Sequence, residues 1–195
     1  MRLSICALSL TLCAAGCTDP GQVAGPDAGL AGGPAVQGSP ARGDLVINEV
    51  APRPTRGPDW IELYNRSAAA LDLCDYFVTD DLDRLDHYAP LGGVAPPEPC
   101  PPLVLEAGAY RLIYADDDAA AGPDHAPFKL GRDDQVHVVT TGGVASDSFI
   151  YLYTGVSEGD SLARSPSGDG PFYPAQPSPG AANPDPPESA AEVLP

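Results

Sequence analysis

The chain has 195 residues, with 27 acidic against 10 basic side chains and a formal net charge of −17. A ligand held by phosphate neutralisation meets the wrong sign almost everywhere, which excludes nucleic acid as a direct partner. The 24 Pro and 21 Gly bring the composition close to that of a wholly disordered chain, and the Leu, Val, Ile and aromatic residues that remain suffice for one compact domain.

Residues 1–16 carry Arg2, an apolar run from Leu3 to Leu12 and then small residues, the pattern of a secretory signal peptide too short to span a bilayer. Ala14-Ala15-Gly16-Cys17 resembles the bacterial lipobox, with Ala14 where Leu is commoner. That resemblance implies cleavage before Cys17 and lipidation of its thiol and amino group, and several acyl chains together give a durable peripheral anchor. Thr18 rather than Asp after the lipidated residue implies the outer membrane, at its periplasmic face or at the cell surface. Residues 17–43 are Gly, Pro, Ala, Ser and Gln with almost no branched apolar side chains, the composition of a flexible tether. Residues 184–195 read as a disordered tail on the same grounds.

Between them, residues 44–183 hold the only Trp and all the Tyr and Phe, and their apolar pattern has period two. Strands are predicted at 45–50, 60–64, 71–78, 109–115, 135–140, 144–153 and 162–164, with Thr141-Gly-Gly-Val144 as the best hairpin signal. No segment makes a convincing amphipathic helix. Short strands at this spacing without crossover helices predict an all-β, immunoglobulin-like antiparallel β-sandwich. Of the five cysteines, Cys6 and Cys13 fall in the signal and Cys17 takes the lipid, leaving Cys74 and Cys100. In an oxidising compartment that pair is expected as a disulfide, worth about 3.5 kcal/mol by chain entropy for a loop of this size.

Leu45-Val-Ile-Asn-Glu-Val50, Asp59-Trp-Ile-Glu-Leu-Tyr-Asn65, Leu71-Asp-Leu73, Leu105-Glu-Ala-Gly-Ala-Tyr110, Asp147 before Tyr151, Ser161-Leu-Ala-Arg164 and Ser178-Pro-Gly-Ala-Ala-Asn183 follow one another in the chain. In this order they resemble the lamin tail domain family across residues 44–183. The resemblance implies an immunoglobulin-like sandwich used as a binding or structural module, and it makes Asn48, Glu49, Trp60, Glu62, Asn65, Gly180 and Asn183 its scaffold. The chain departs from the family pattern at Glu106-Ala-Gly108 and in a wide insert around Cys74 to Cys100.

Gly155-Val-Ser157-Glu-Gly159 matches a nucleophile elbow, but the elbow needs a following helix and a later histidine, and neither is read here. The loop triplet Asp116, Asp117 and Asp118 supplies the oxygens that Ca²⁺ favours, although without EF-hand spacing. Asp80 to Asp86 and Asp133-Asp134 are further acidic clusters, and His87, His125 and His137 are too far apart in sequence to suggest a metal site. Asn48, Glu49, Glu62 and Asn65 read as polar residues at strand edges that hydrogen-bond neighbouring loops. Arg42-Gly43-Asp44 and the sequon at Asn65 are read as coincidences of composition. The expectation is a non-catalytic, monomeric envelope lipoprotein that needs no cofactor and presents loops to an envelope protein or glycan. A Ca²⁺-dependent adhesion module on the acidic loops is the alternative, and a small hydrolase a remote one.

Overall fold

The structure, a computed structural model, describes residues 43–186 except residue 97. The signal peptide, Cys17, the tether up to residue 42 and the tail from residue 187 lie outside the described residues. In chain order the strands are β1 (Leu45–Ala51), β2 (Asp59–Asn65), β3 (Leu71–Asp72), β4 (Tyr76–Thr79), β5 (Ala89–Pro90) and β6 (Val104–Leu105). They continue with β7 (Tyr110–Ala115), β8 (His125–Ala126), β9 (Asp133–Thr140), β10 (Ala145–Leu152), β11 (Ser161–Arg164) and β12 (Phe172–Ala175).

Along β1 the core residues are Leu45, Ile47 and Val50, a spacing of two and then three that a regular pleat cannot place on one face. A β-bulge between Ile47 and Glu49 absorbs the extra residue, Asn48, and returns Val50 to the interior beside Ile61. On β2, Ile61 and Leu63 face the core, so Trp60, Glu62 and Tyr64 lie on the opposite face. The six-stranded sheet runs β12-β11-β1-β2-β7-β8 and the four-stranded sheet β10-β9-β4-β5, with β3-β6 as a separate pair. Leu45, Ile47, Val136, Val138, Phe149, Tyr151 and Leu162 are among the side chains that fill the space between the sheets. All strand pairs are antiparallel except the short β7–β8 contact, which is parallel. The fold is an immunoglobulin-like β-sandwich, and apart from three short 3-10 turns the described residues contain no helix.

One predicted strand is broken. Residues 71–78 form β3, a 3-10 turn at Leu73–Asp75 and then β4. The Asp72 carboxylate accepts from the Cys74 amide at 3.0 Å and the Leu103 amide at 3.2 Å, and this local competitor to the ladder turns the chain between sheets. The predicted hairpin at Thr141–Val144 joins β9 to β10, closed by bonds from Gly143 N to Thr140 O and from Thr140 N to Val144 O, both 2.8 Å.

The sheets are also tied by side chains. Arg164 on β11 donates from Nε to Ile47 O at 2.7 Å and from its terminal amino group to Asp147 Oδ2 on β10 at 2.8 Å. Its guanidinium lies 4.3 Å from the Phe172 ring centroid. The same Asp147 oxygen accepts from the Ile47 amide at 3.0 Å, so one ion pair links β11, β1 and β10.

Candidate functional site

Glu49 and Glu62 face each other across the β1–β2 ladder on the outer face of the six-stranded sheet, both 0% exposed. Two carboxylates buried side by side in mid-strand are costly unless donors enclose them. The donors come from the segment after β12, which crosses that face as a strap. Ser178 N donates to Glu49 Oε1 at 3.1 Å, Gly180 N donates to Glu62 Oε2, and Asn48 Nδ2 on the bulge donates to Glu62 Oε1 at 2.9 Å. Asn183 ends the strap by donating from Nδ2 to Asn48 O at 3.0 Å and Arg164 O at 2.8 Å. Gly168, before the strap, donates its amide to Asn48 Oδ1 at 2.9 Å. Its φ of +76° and the Tyr64 ring packed where a Cβ would stand leave room only for glycine.

Counting protons separates the two acids. Both oxygens of Glu62 accept from N–H groups that cannot reverse, and these bonds favour the charged form against the burial that disfavours it. Around Glu49 the Ser178 amide is joined by two hydroxyls, whose protons can turn to either neighbour. Ser161 Oγ sits against both Glu49 Oε1 and Ala175 O, and Ser178 Oγ against both Glu49 Oε2 and Asn183 Oδ1. Each hydroxyl has one proton for two acceptors. A proton on Glu49 would let the acid donate to Ser161 Oγ and free that hydroxyl to donate to Ala175 O, while Ser178 Oγ still chooses between Glu49 and Asn183. Burial raises the pKa of both carboxyls above the ordinary range, and for Glu62 the neighbouring Glu49 adds to the rise. The pair is enclosed beneath the strap, with neither side chain exposed. Its chemistry is that of a clasp, and the expectation of polar residues at strand edges is corrected: both glutamates lie in mid-strand.

Five of the predicted scaffold residues, Asn48, Glu49, Glu62, Gly180 and Asn183, therefore converge on one network. Asn65 serves a second, donating to Ala69 O at 2.8 Å and Leu105 O at 2.9 Å while accepting from Ser67. It is fully buried, so its sequon presents no free amide. Trp60 is buried on the clasp's face of β2, paired in register with Ala51 and Tyr114. Sequence reasoning missed Ser161, Ser178 and Arg164 as partners. Their only signal is a polar or charged residue inside an alternating strand or motif.

Cys74 and Cys100 are disulfide-bonded with Cα atoms 5.9 Å apart. Gly92 packs against the bridge, where a Cβ would overlap the Cys100 sulfur. Among the described residues no three His, Cys, Asp or Glu side chains converge as a metal cage. Of the expected Ca²⁺ ligands, Asp116 is hydrogen-bonded to His125 Nδ1 at 2.7 Å, Asp117 occupies the left-handed region with φ +62°, and Asp118 precedes a 3-10 turn. His87 pairs with Asp80 at 2.6 Å and His137 with Ser148 at 2.8 Å. Ser157 lies in a turn whose carbonyl accepts from Tyr153 Oη at 2.9 Å, with no helix behind it.

The fold and the clasp define an immunoglobulin-like module. Comparison with known families matches the Lamin Tail Domain over residues 38–163, and the chain belongs to that family. A comparison with curated proteins finds no match.

Proposed function

We propose that the chain is a non-catalytic envelope lipoprotein, anchored through Cys17 in the outer membrane and presenting its lamin tail domain on the tether 17–43 as a monomeric binding module. The observation that carries this reading is the burial of Glu49 and Glu62. This carboxylate pair, adjacent across two strands, has both members fully enclosed and every partner a structural one. What remains for function is the loop surface. The lipobox-like Ala14-Ala15-Gly16-Cys17 supports the anchor.

Intact mass spectrometry of the protein purified from its own membranes tests this, first without and then with reductant. The expected mass is that of residues 17–195 plus acyl chains, rising by about two daltons as the disulfide opens. An unlipidated mass removes the membrane half of the reading, and turnover of a substrate would overturn the other half.

A further inference from the structure

The loop surface contains one feature built for a ligand. On the outer face of the four-stranded sheet a groove of about 680 Å³ has Phe77 of β4, Val139 of β9 and Tyr88 on its floor, with Leu82, Leu85 and Pro96 among its walls. Phe77 and Tyr88 meet edge-on at 5.8 Å, and Tyr88 Oη donates to Leu82 O at 3.1 Å, which fixes floor to wall. Leu85 is 81% exposed and Leu82 46%, so two leucines stand in water on the lip of an apolar trough. Six of the lining residues lie between Cys74 and Cys100, inside the loop that the disulfide closes.

The charge around the lip selects the occupant. Leu82 is flanked by Asp81 and Asp83, and Leu85 by Arg84 and Asp86. Arg84 is neutralised by Asp86 at 2.7 Å, and no Lys or Arg lines the groove. No acidic side chain lines the trough either, but the Leu82–Leu85 segment at its lip carries Asp81, Asp83 and Asp86 against Arg84 alone, and this excess of negative charge beside apolar walls complements a segment that carries both aliphatic anchors and positive charge. A second copy of this domain, itself strongly acidic, brings charge of the same sign to the rim.

We propose that this groove is the docking site of the module for a cationic peptide segment with aliphatic anchors, the disulfide holding its walls in the binding geometry. The proposal rests on the binding-module reading above and names the chemistry of its partner. Preorganisation by the bridge lowers the ordering cost of binding.

The test is fluorescence anisotropy of the full-length chain with a fluorescein-labelled alternating Lys-Leu peptide, with all-Lys and alternating Glu-Leu peptides as controls. The Lys-Leu peptide is expected to bind, more weakly as salt rises. L82S/L85S should weaken it by about tenfold or more, the scale set by losing buried leucine surface. D81N/D83N should weaken it and flatten the salt dependence, and reduction of the disulfide should weaken it further. L152S, at an exposed leucine that does not line the groove, should have no effect. All of these substitutions sit on exposed or half-buried side chains, and an unchanged melting temperature confirms that the fold is intact.

No binding, equal binding of the all-Lys peptide, or indifference to L82S/L85S overturns the proposal. A concentration-dependent dimer in sedimentation that is lost in L82S/L85S assigns the groove to a second copy and overturns it too. None of these outcomes touches the mass measurement, so the groove and the envelope reading fail separately.

Discussion

At Glu49 and Glu62 the same side chain, in register on adjacent strands, has opposite requirements. A glutamine at 49 can donate to Ser161 and accept from the Ser178 amide as a protonated acid would, so Glu49→Gln should change stability by less than about 0.5 kcal/mol near pH 4, below the pKa of the unfolded carboxyl. A glutamine at 62 turns its amide nitrogen against a fixed N–H donor, and Glu62→Gln should cost about 2–3 kcal/mol. Urea unfolding of the two variants at that pH checks this, and equal effects would show that the two acids have the same requirement. The pH dependence follows by linkage. A carboxyl whose pKa is raised in the folded state contributes stability that is full at acidic pH and is lost as pH rises through the raised value. The advantage of Glu49→Gln over the native chain should therefore grow from pH 5 upward. The difference between the two proteins cancels Asp59, raised to about 6 chiefly by burial, and His137, which burial pushes the other way.

Among the elements, the strap carries a separate prediction. The family match ends at residue 163, whereas Glu49, Glu62 and Asn48 draw their donors from Ser178, Gly180 and Asn183. A chain ending at residue 175 keeps β12 but loses these donors, a cost of at least about 4 kcal/mol that exhausts much of a small domain's stability. Melting followed by circular dichroism should show it unfolded or strongly destabilised, and a chain ending at residue 186 unaffected. Much of this was legible. The alternation in β2, β9 and β10 marks their core faces, whereas that of Tyr110, Leu112 and Tyr114 in β7 marks the outer one, and the Asn-Glu and Pro-Gly-x-x-Asn motifs locate both halves of the clasp. The two-residue strands β5, β6 and β8 were not legible, because two residues carry no periodicity. The break after Asp72 is set by a side chain competing with the ladder, and the Arg164–Asp147 tie by contacts between sheets. Neither leaves a local pattern.

Across the whole molecule the charge of −17 is a standing repulsion that the fold must outweigh. Raising NaCl from about 0.01 M to about 0.5 M shortens the Debye length from about 30 Å to under 8 Å, and the melting temperature should rise with it. A salt-independent melt would mean that the acidic groups are already compensated locally. The clasp has a further consequence in time. Glu49 waits for Ser161, 112 positions downstream, and for Ser178, 129 positions downstream. A growing polypeptide emerging from the ribosome presents its first strand long before its last segment exists, so both acids stay hydrated and ionised until synthesis is nearly complete. Contacts over that span cost much loop closure, so the clasp can lock the first strand only after the segment that carries its donors has been made.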